Sequence, residues 1–201
     1  MSSEVYIVDD DKLARESLAW LIDTVGLRVK VYESGFSFLD DYRDTMAGCL
    51  VLDVRMPALS GMDLHIKLKQ LGCRLPIIMM TGHADVAMAV RAMKAGVYDF
   101  IEKPYNDSLM LERIQSAIAF DLDTRKKQER ELEVKTRLAK LTPRENEVLH
   151  YILKSTANKN IAAELLISIK TVELHRSNLM LKMQASSATE LVRLALIAGF
   201  E

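Results

Sequence analysis

The apolar run Cys49-Leu50-Val51-Leu52 stops abruptly at a carboxylate, Asp53, and this junction constrains the chain more than any other feature. An uninterrupted run of that length suits a parallel strand covered on both faces, so Asp53 falls at a strand's carboxyl end. Three further runs end in the same way. Val5-Tyr6-Ile7-Val8 leads into Asp9-Asp10-Asp11, Ile77-Ile78-Met79-Met80 into Thr81-Gly82, and Asp99-Phe100-Ile101 into Glu102-Lys103-Pro104. If these strands are parallel neighbours, Asp9, Asp10, Asp53, Thr81 and Lys103 all lie along one edge of a sheet. That is the edge where open α/β sheets bind ligands. Clustered carboxylates repel one another and are tolerated when a cation neutralises them. An all-oxygen ligand set with few protein positions suits Mg2+, which shares its remaining ligands with water and phosphate. The chemistry that fits is phosphoryl transfer onto a carboxylate, with Lys103 balancing charge and Thr81 donating a hydrogen bond to a phosphoryl oxygen.

Helical patterns alternate with the strands. Ala14, Leu18, Leu21, Ile22 and Val25 share a helix face closed by Gly26, and Ser34 to Tyr42 is a shorter helix. Leu64, Leu68 and Leu71 mark the next, stopped by Gly72. Val86, Val90 and Met93 mark another before Gly96, and Met110, Ile114, Ala117 and Ile118 mark the last. Val29 and Val31, alternating with Arg28 and Lys30, add the missing second strand. Five strand-helix units in a row predict a doubly wound (βα)5 parallel sheet of the α/β class. In this reading His65 faces solvent, His83 shapes a loop, Met79, Met80, Met88 and Met93 fill core gaps, Cys49 is a core residue and Cys73 a loop residue.

Residues 1 to about 120 resemble the receiver domain of two-component response regulators: Asp9-Asp10, Asp53, Thr81 and Lys103-Pro104 match its motif position by position. The resemblance implies strand order 2-1-3-4-5 and Asp53 as the phosphoacceptor. It also implies Mg2+ held by Asp10, Asp53 and the Arg55 backbone carbonyl, with Asp9 as a nearby partner. Thr81 and Phe100, the aromatic three residues before Lys103, are the implied switch pair.

The chain has 201 residues, a length that fits one large or two small domains, and is 49% apolar and 27% charged, as is ordinary for a globular protein. Residues 1–120 carry 13 basic against 17 acidic side chains and residues 121–201 carry 14 against 11, so the positive half is the one suited to nucleic acid. No apolar run approaches a membrane span, and Met1-Ser2-Ser3-Glu4 leads straight into a strand, so the expected location is cytoplasmic. Residues 121–138 mix both charge signs without Gly or Pro and read as a solvated helical linker.

Residues 139–201 read as a small all-α bundle of four helices. Thr142-Pro143-Arg144-Glu145 is a capping box, Asn158 and Ser168 can cap the second and third helices, and Ser187-Ala188-Thr189-Glu190 opens the fourth, which Gly199 ends. The short connection at Leu166-Ile167-Ser168 makes the middle pair a helix-turn-helix. This segment resembles the LuxR-type DNA-binding domain of the FixJ and NarL group, through Leu141-Thr142-Pro143-Arg144-Glu145, Asn158-Lys159-Asn160-Ile161-Ala162 and Thr171-Val172-Glu173-Leu174-His175-Arg176. Leu166 departs from it, standing where the family usually has glycine.

The third helix is expected in the major groove, with Val172 and Leu179 toward the bundle core and Glu173, Leu174 and Ser177 toward base edges. Lys170, Thr171, Arg176, Asn178 and Lys182 suit phosphates. His175 serves helix packing or a base contact. Leu191, Leu194 and Ala195 form the dimer contact that the family implies.

Taken together, these features predict a transcription regulator rather than an enzyme. Its partners would be a sensor histidine kinase, double-stranded promoter DNA, a second copy of the chain once phosphorylated, and RNA polymerase. One rival is a binder of DNA whose first domain is only a docking module. The other is a phosphohydrolase using Asp53, which would need an acidic residue where Arg55 stands.

Overall fold

A computed structural model describes residues 3–82 and 86–200, so His83 lies outside the described residues. The chain divides into two compact units, Met1–Arg125 and Lys126–Glu201.

In the first unit the strands are β1 (Glu4–Val8), β2 (Arg28–Tyr32), β3 (Gly48–Asp53), β4 (Ile77–Thr81) and β5 (Asp99–Glu102). All neighbours pair in parallel, in the order β2-β1-β3-β4-β5. The central β3 is buried at every residue, as its unbroken apolar run requires. Alternate side chains feed two cores. Tyr6, Val8, Leu50, Leu52 and Met79 pack with Phe38, Leu64, Leu68 and Ala92 of helices α2 (Gly35–Asp41), α3 (Gly61–Gln70) and α4 (Val86–Ala95). On the opposite face Val5, Ile7, Cys49, Val51, Ile78, Met80 and Ile101 pack with Leu18 and Ile22 of α1 (Lys12–Asp23). Met110, Ile114, Ala117 and Ile118 of α5 (Asp107–Leu138) complete this second core. Each fully buried leucine contributes about 2 kcal/mol of transfer free energy. The connections leaving β1 and β3 run to opposite sides, so the crevice beyond their carboxyl ends is the topological switch point of the sheet.

Several outward-facing residues differ from the periodic reading. Val25 follows the α1 cap at Thr24 and is exposed, and Leu71 is itself the exposed cap of α3. Val31 is exposed because β2 is an edge strand with little to cover it. Val90 and Met93 of α4 also face outward, and Ala92 takes the core position instead. His65 is the reverse case: it is only 5% exposed, because its Nε2 reaches the carbonyl of Ala95 at the end of α4, 3.1 Å away. Cys73 is half-buried against the first core.

At the amino end of β3, a buried carboxylate fixes the strand. Asp121 accepts the Gly48 N–H at 2.9 Å and is gripped by Arg125 Nε, whose guanidinium also donates to the Met46 carbonyl. Gly48 has φ +125°, and a Cβ there would lie 1.9 Å from the Glu4 carbonyl oxygen, so no other residue fits beside β1.

The second unit contains the end of α5 and helices α6 (Pro143–Leu153), α7 (Asn158–Leu165), α8 (Ile169–Met183) and α9 (Ala188–Ile197). Val134 of α5 is buried in its core with Val148, Leu149, Ile161, Val172 and Leu179, so the segment read as a solvated linker is anchored at its far end. Leu191, Leu194 and Ala195 are buried in the same core rather than offered to a second copy.

The caps also resolve differently in part. Thr142 and Glu145 form the expected reciprocal box, and Ser168 caps α8 through the Thr171 N–H. The residue before α7, however, is Ala157 without a side-chain cap. Asn158 is already helical, and its Oδ1 accepts from Arg176 of α8 at 2.8 Å. At α9, Ser187 caps the Glu190 N–H, but Glu190 turns its carboxylate to the Ser186 N–H.

Leu166 ends α7 in the left-handed region, φ 55°, with its side chain 91% exposed. Strain of about 1–2 kcal/mol at a non-glycine residue exceeds the entropy of about 0.5–1 kcal/mol that a glycine adds to the unfolded chain. Leu166→Gly should therefore raise the stability of this unit by about 1 kcal/mol in denaturant unfolding, and a loss would refute the strain. Burial pushes the Glu145 carboxyl up, but the Lys182 ammonium at 2.7 Å and the bonds from Thr142 outweigh it and hold it below the usual value. A depressed carboxylate stabilises the fold above its unfolded value of about 4.3, and that contribution disappears as pH falls through the folded value. Glu145→Gln should be less stable than wild type at pH 7, with the gap closing under acid. An equal gap at both ends of a pH series would argue against the ion pair.

Candidate functional site

Asp9 follows β1 directly, Asp53 ends β3, Thr81 ends β4 and Lys103 follows β5, so the sheet's register brings all four to its carboxyl edge. The Lys103 ammonium sits between the two carboxylates, 2.7 Å from Asp9 Oδ2 and 2.7 Å from Asp53 Oδ1. The remaining oxygens are engaged by backbone: Asp9 Oδ1 accepts the Asp11 N–H at 2.9 Å, and Asp53 Oδ2 accepts the Arg55 N–H at 2.7 Å. Asp9, Asp53 and Thr81 are buried, whereas Asp10 is exposed at the mouth of the crevice.

Local sequence explains this placement. Asp11 caps α1, accepting from the Leu13 and Ala14 N–H groups, which turns the chain away immediately after Asp10. Beyond β3 the loop folds back so closely that a Cβ on Gly61 would lie 2.2 Å from the Asp53 carbonyl oxygen, and the Gly61 N–H donates to Val54 O at 3.0 Å. Arg15 belongs to the site although the sequence reading did not single it out. Its guanidinium donates to the Asp9 carbonyl at 2.5 Å. Its position one helical turn past the Asp11 cap was the only available signal.

Charge in the crevice is unevenly settled. Burial pushes the Asp53 carboxyl above its ordinary value, and the Asp9 charge adds to this, while Lys103 and the Arg55 amide oppose it. Burial works to lower the Lys103 ammonium, but its bonds to Asp53 and Asp9 overcome that and raise it, so the lysine stays charged. Two carboxylates share one ammonium, which leaves the crevice anionic. Among the described residues no group of three or more Asp, Glu, His or Cys side chains converges as a metal cluster. The acceptors gathered at the edge are nonetheless oxygens, two buried carboxylates with the exposed Asp10 beside them, a set that fits a hard cation keeping most of its water. Phe100, on β5, is half-buried against the first core.

In the second unit α8 presents two distinct faces. Val172, Leu179 and Met183 are buried, whereas Lys170, Glu173, Leu174, Ser177 and Asn178 are exposed together. Leu174 is a large apolar side chain left in solvent. Three residues expected at phosphates are already engaged. The Thr171 hydroxyl bonds Ser168 Oγ at 2.8 Å, Arg176 donates to Asn158, and Lys182 pairs with the buried Glu145. His175 is half-buried.

Residues 5–115 match the family model described as the response regulator receiver domain, and residues 139–195 match that of bacterial regulatory proteins of the luxR family. The transcriptional regulatory protein FixJ of Azorhizobium caulinodans is 43% identical over 198 residues, 98% of this chain and 94% of that protein. The response regulator protein TmoT of Ectopseudomonas mendocina is 44% identical over 191 residues, 95% and 87% of the two chains. Among solved structures, the response regulator StyR superposes with TM-score 0.88 at 36% identity, covering 98% of this chain and 99% of that one. Full-length FixJ from B. japonicum gives 0.62 at 41% identity with complete coverage of both. No helix among the described residues is long and apolar enough to cross a membrane. With a receiver crevice at one end of the sequence, a helix-turn-helix at the other and relatives alike over nearly their whole length, this chain belongs to the FixJ-type response regulators, transcription factors that join a receiver domain to a LuxR-type DNA-binding domain.

Proposed function

We propose that Asp53 accepts a phosphoryl group from a phosphohistidine of a sensor kinase and that this modification controls DNA binding by α8. The observation that carries the reading is the single Lys103 ammonium shared by Asp9 and Asp53. It leaves the Asp53 carboxylate anionic, fixed by the Arg55 amide and open to an electrophilic phosphorus. In the transfer an Asp53 oxygen forms the new P–O bond while the P–N bond breaks and the imidazole leaves with its electron pair. Mg2+ held by Asp10, Asp53 and the Arg55 backbone carbonyl, beside Asp9, would supply charge neutralisation for the phosphoryl oxygens. Lys103 then follows the new negative charge, and the buried Thr81 hydroxyl turns to a phosphoryl oxygen. Phe100 adjusts as Thr81 moves.

For that signal to reach DNA, the active arrangement must bind a second copy or the operator better than the inactive one does. The exposed Val90 and Met93 on α4 suit a phosphorylation-dependent homodimer. On DNA, Glu173 would accept from cytosine N4 and Leu174 would contact a thymine methyl, with Ser177 between them. Lys170 and Asn178 are the side chains best placed for phosphates. RNA polymerase is the partner through which such a dimer would act on transcription.

An acyl-phosphate donor with Mg2+ should tighten binding to a specific promoter fragment in the wild type and leave Asp53→Asn unchanged; equal binding by both proteins would separate the receiver from control. Substituting Glu173 or Leu174 by Ala should relax sequence preference by about 1–3 kcal/mol at one base pair, whereas Lys170→Ala should weaken all sequences alike and lessen the salt dependence. Because Asp53 is raised, its charge detracts from stability once the pH has risen through the folded value. Asp53→Asn should therefore melt higher than wild type at pH 7 and lose that advantage under acid. A variant that is less stable at neutral pH would show that Asp53 is not the unfavourable charge.

A further inference from the structure

Asp10 is the carboxylate of the crevice least held by its own side chain. Asp9 and Asp53 each engage Lys103 and a backbone N–H, whereas the exposed Asp10 carboxylate has no hydrogen bond or ion pair among the described residues. Only the backbone can fix where that side chain starts. The planar peptide between Asp9 and Asp10 therefore sets its direction, because turning that plane would swing the Asp10 Cα and the carboxylate beyond it.

Arg15 holds this turn from both ends. Its guanidinium donates to the Asp9 carbonyl, the oxygen of that same peptide, at 2.5 Å, and its backbone N–H donates to the Asp11 carbonyl at 3.0 Å. One half-buried residue thus joins the carbonyl before Asp10 to the carbonyl after it. A bond from an ionised donor is roughly twice as strong as a neutral one, so the Asp9 carbonyl is firmly held. Asp11 is tied down further, since its N–H donates to Asp9 Oδ1 and its own carboxylate caps α1. The charge of Arg15 has the wrong sign to attract a cation. Beside three carboxylates a guanidinium lessens their pull on Mg2+, so any gain it brings to cation binding comes from geometry.

We propose that Arg15 is a positioning residue for the divalent cation: by clamping the carbonyls on either side of Asp10, it aims the Asp10 carboxylate at the cation shared with Asp53. The inference rests on the reading of this crevice as a Mg2+-assisted phosphoacceptor site, and adds to it a residue that acts through Asp10.

The test is a Mg2+ titration of the full-length chain, followed by the amide NMR shifts of Asp10 and Arg55, in wild type, Arg15→Met and Lys12→Met. Arg15→Met should weaken Mg2+ binding about tenfold or more, the loss typical when a group that orients a metal ligand is removed. Lys12 is an exposed cation at the start of the same helix whose ammonium faces Glu16. Lys12→Met therefore removes charge alone and should leave the affinity unchanged or raise it. Labelling by acetyl phosphate adds a readout that a general loosening of the fold would not give. Arg15→Met should need more Mg2+ for its half-maximal rate and still reach the wild-type rate at saturation. Arg15→Gln, whose shorter side chain stops short of the Asp9 carbonyl, repeats the measurement if the Met variant fails to fold. An affinity unchanged or raised in a folded Arg15 variant, equal weakening by Lys12→Met, or a saturated rate well below wild type would overturn the proposal. A wild type that takes up no Mg2+ would instead remove the phosphoacceptor reading, and this inference with it.

Discussion

One ammonium held between two buried carboxylates sets the demands that the receiver fold meets. Asp9 directly follows β1 and Asp53 ends the adjacent parallel strand β3, so their carboxylates meet at one edge of the sheet, on either side of Lys103. Without Lys103 they would repel in a site that water only partly reaches, at a cost of several kcal/mol. Lys103 comes from beyond the edge strand β5 and crosses β4 to arrive between them, which requires every intervening strand to keep its register. The two cores on either face of the sheet, with β3 buried throughout, supply that rigidity.

The same logic explains why so much of this region was legible in the sequence. A parallel strand buried on both faces writes itself as a continuous apolar run, and a ligand edge writes itself as charge at the end of each run. Asp9, Asp53, Thr81 and Lys103 could thus be placed together from β1, β3, β4 and β5 alone. What stayed hidden depended on neighbours far along the chain. His65 is polar at a helical position that periodicity assigns to solvent, yet the end of α4 arrives to bond it. Asn158 has the chemistry of a cap, but Arg176 claims its oxygen. Arg15 touches Asp9 only because Asp11 starts α1 at that angle.

In the second unit legibility ran out for a reason of scale. Four short helices share one small core, which consumes the buried stripe of each helix and leaves Leu174, Leu181 and Leu196 outside it. Leu191, Leu194 and Ala195 carry the pattern of an interface and are spent on closing the bundle. Lys182 has the charge of a phosphate contact and is spent on Glu145. The exposed face of α8 stands out more clearly once these residues are set aside, since Glu173 and Leu174 lie in solvent.

The double role of Glu145 reaches beyond either of its contacts. One carboxylate closes the first turn of α6 and, through Lys182, holds the last turns of α8. Fraying of the α6 terminus would strand a charge in the interior, and so would any lifting of the recognition helix. Amide hydrogen exchange in these two helices would then be governed by one opening event, and the four-helix unit would behave as a single foldon rather than as helices that come and go independently.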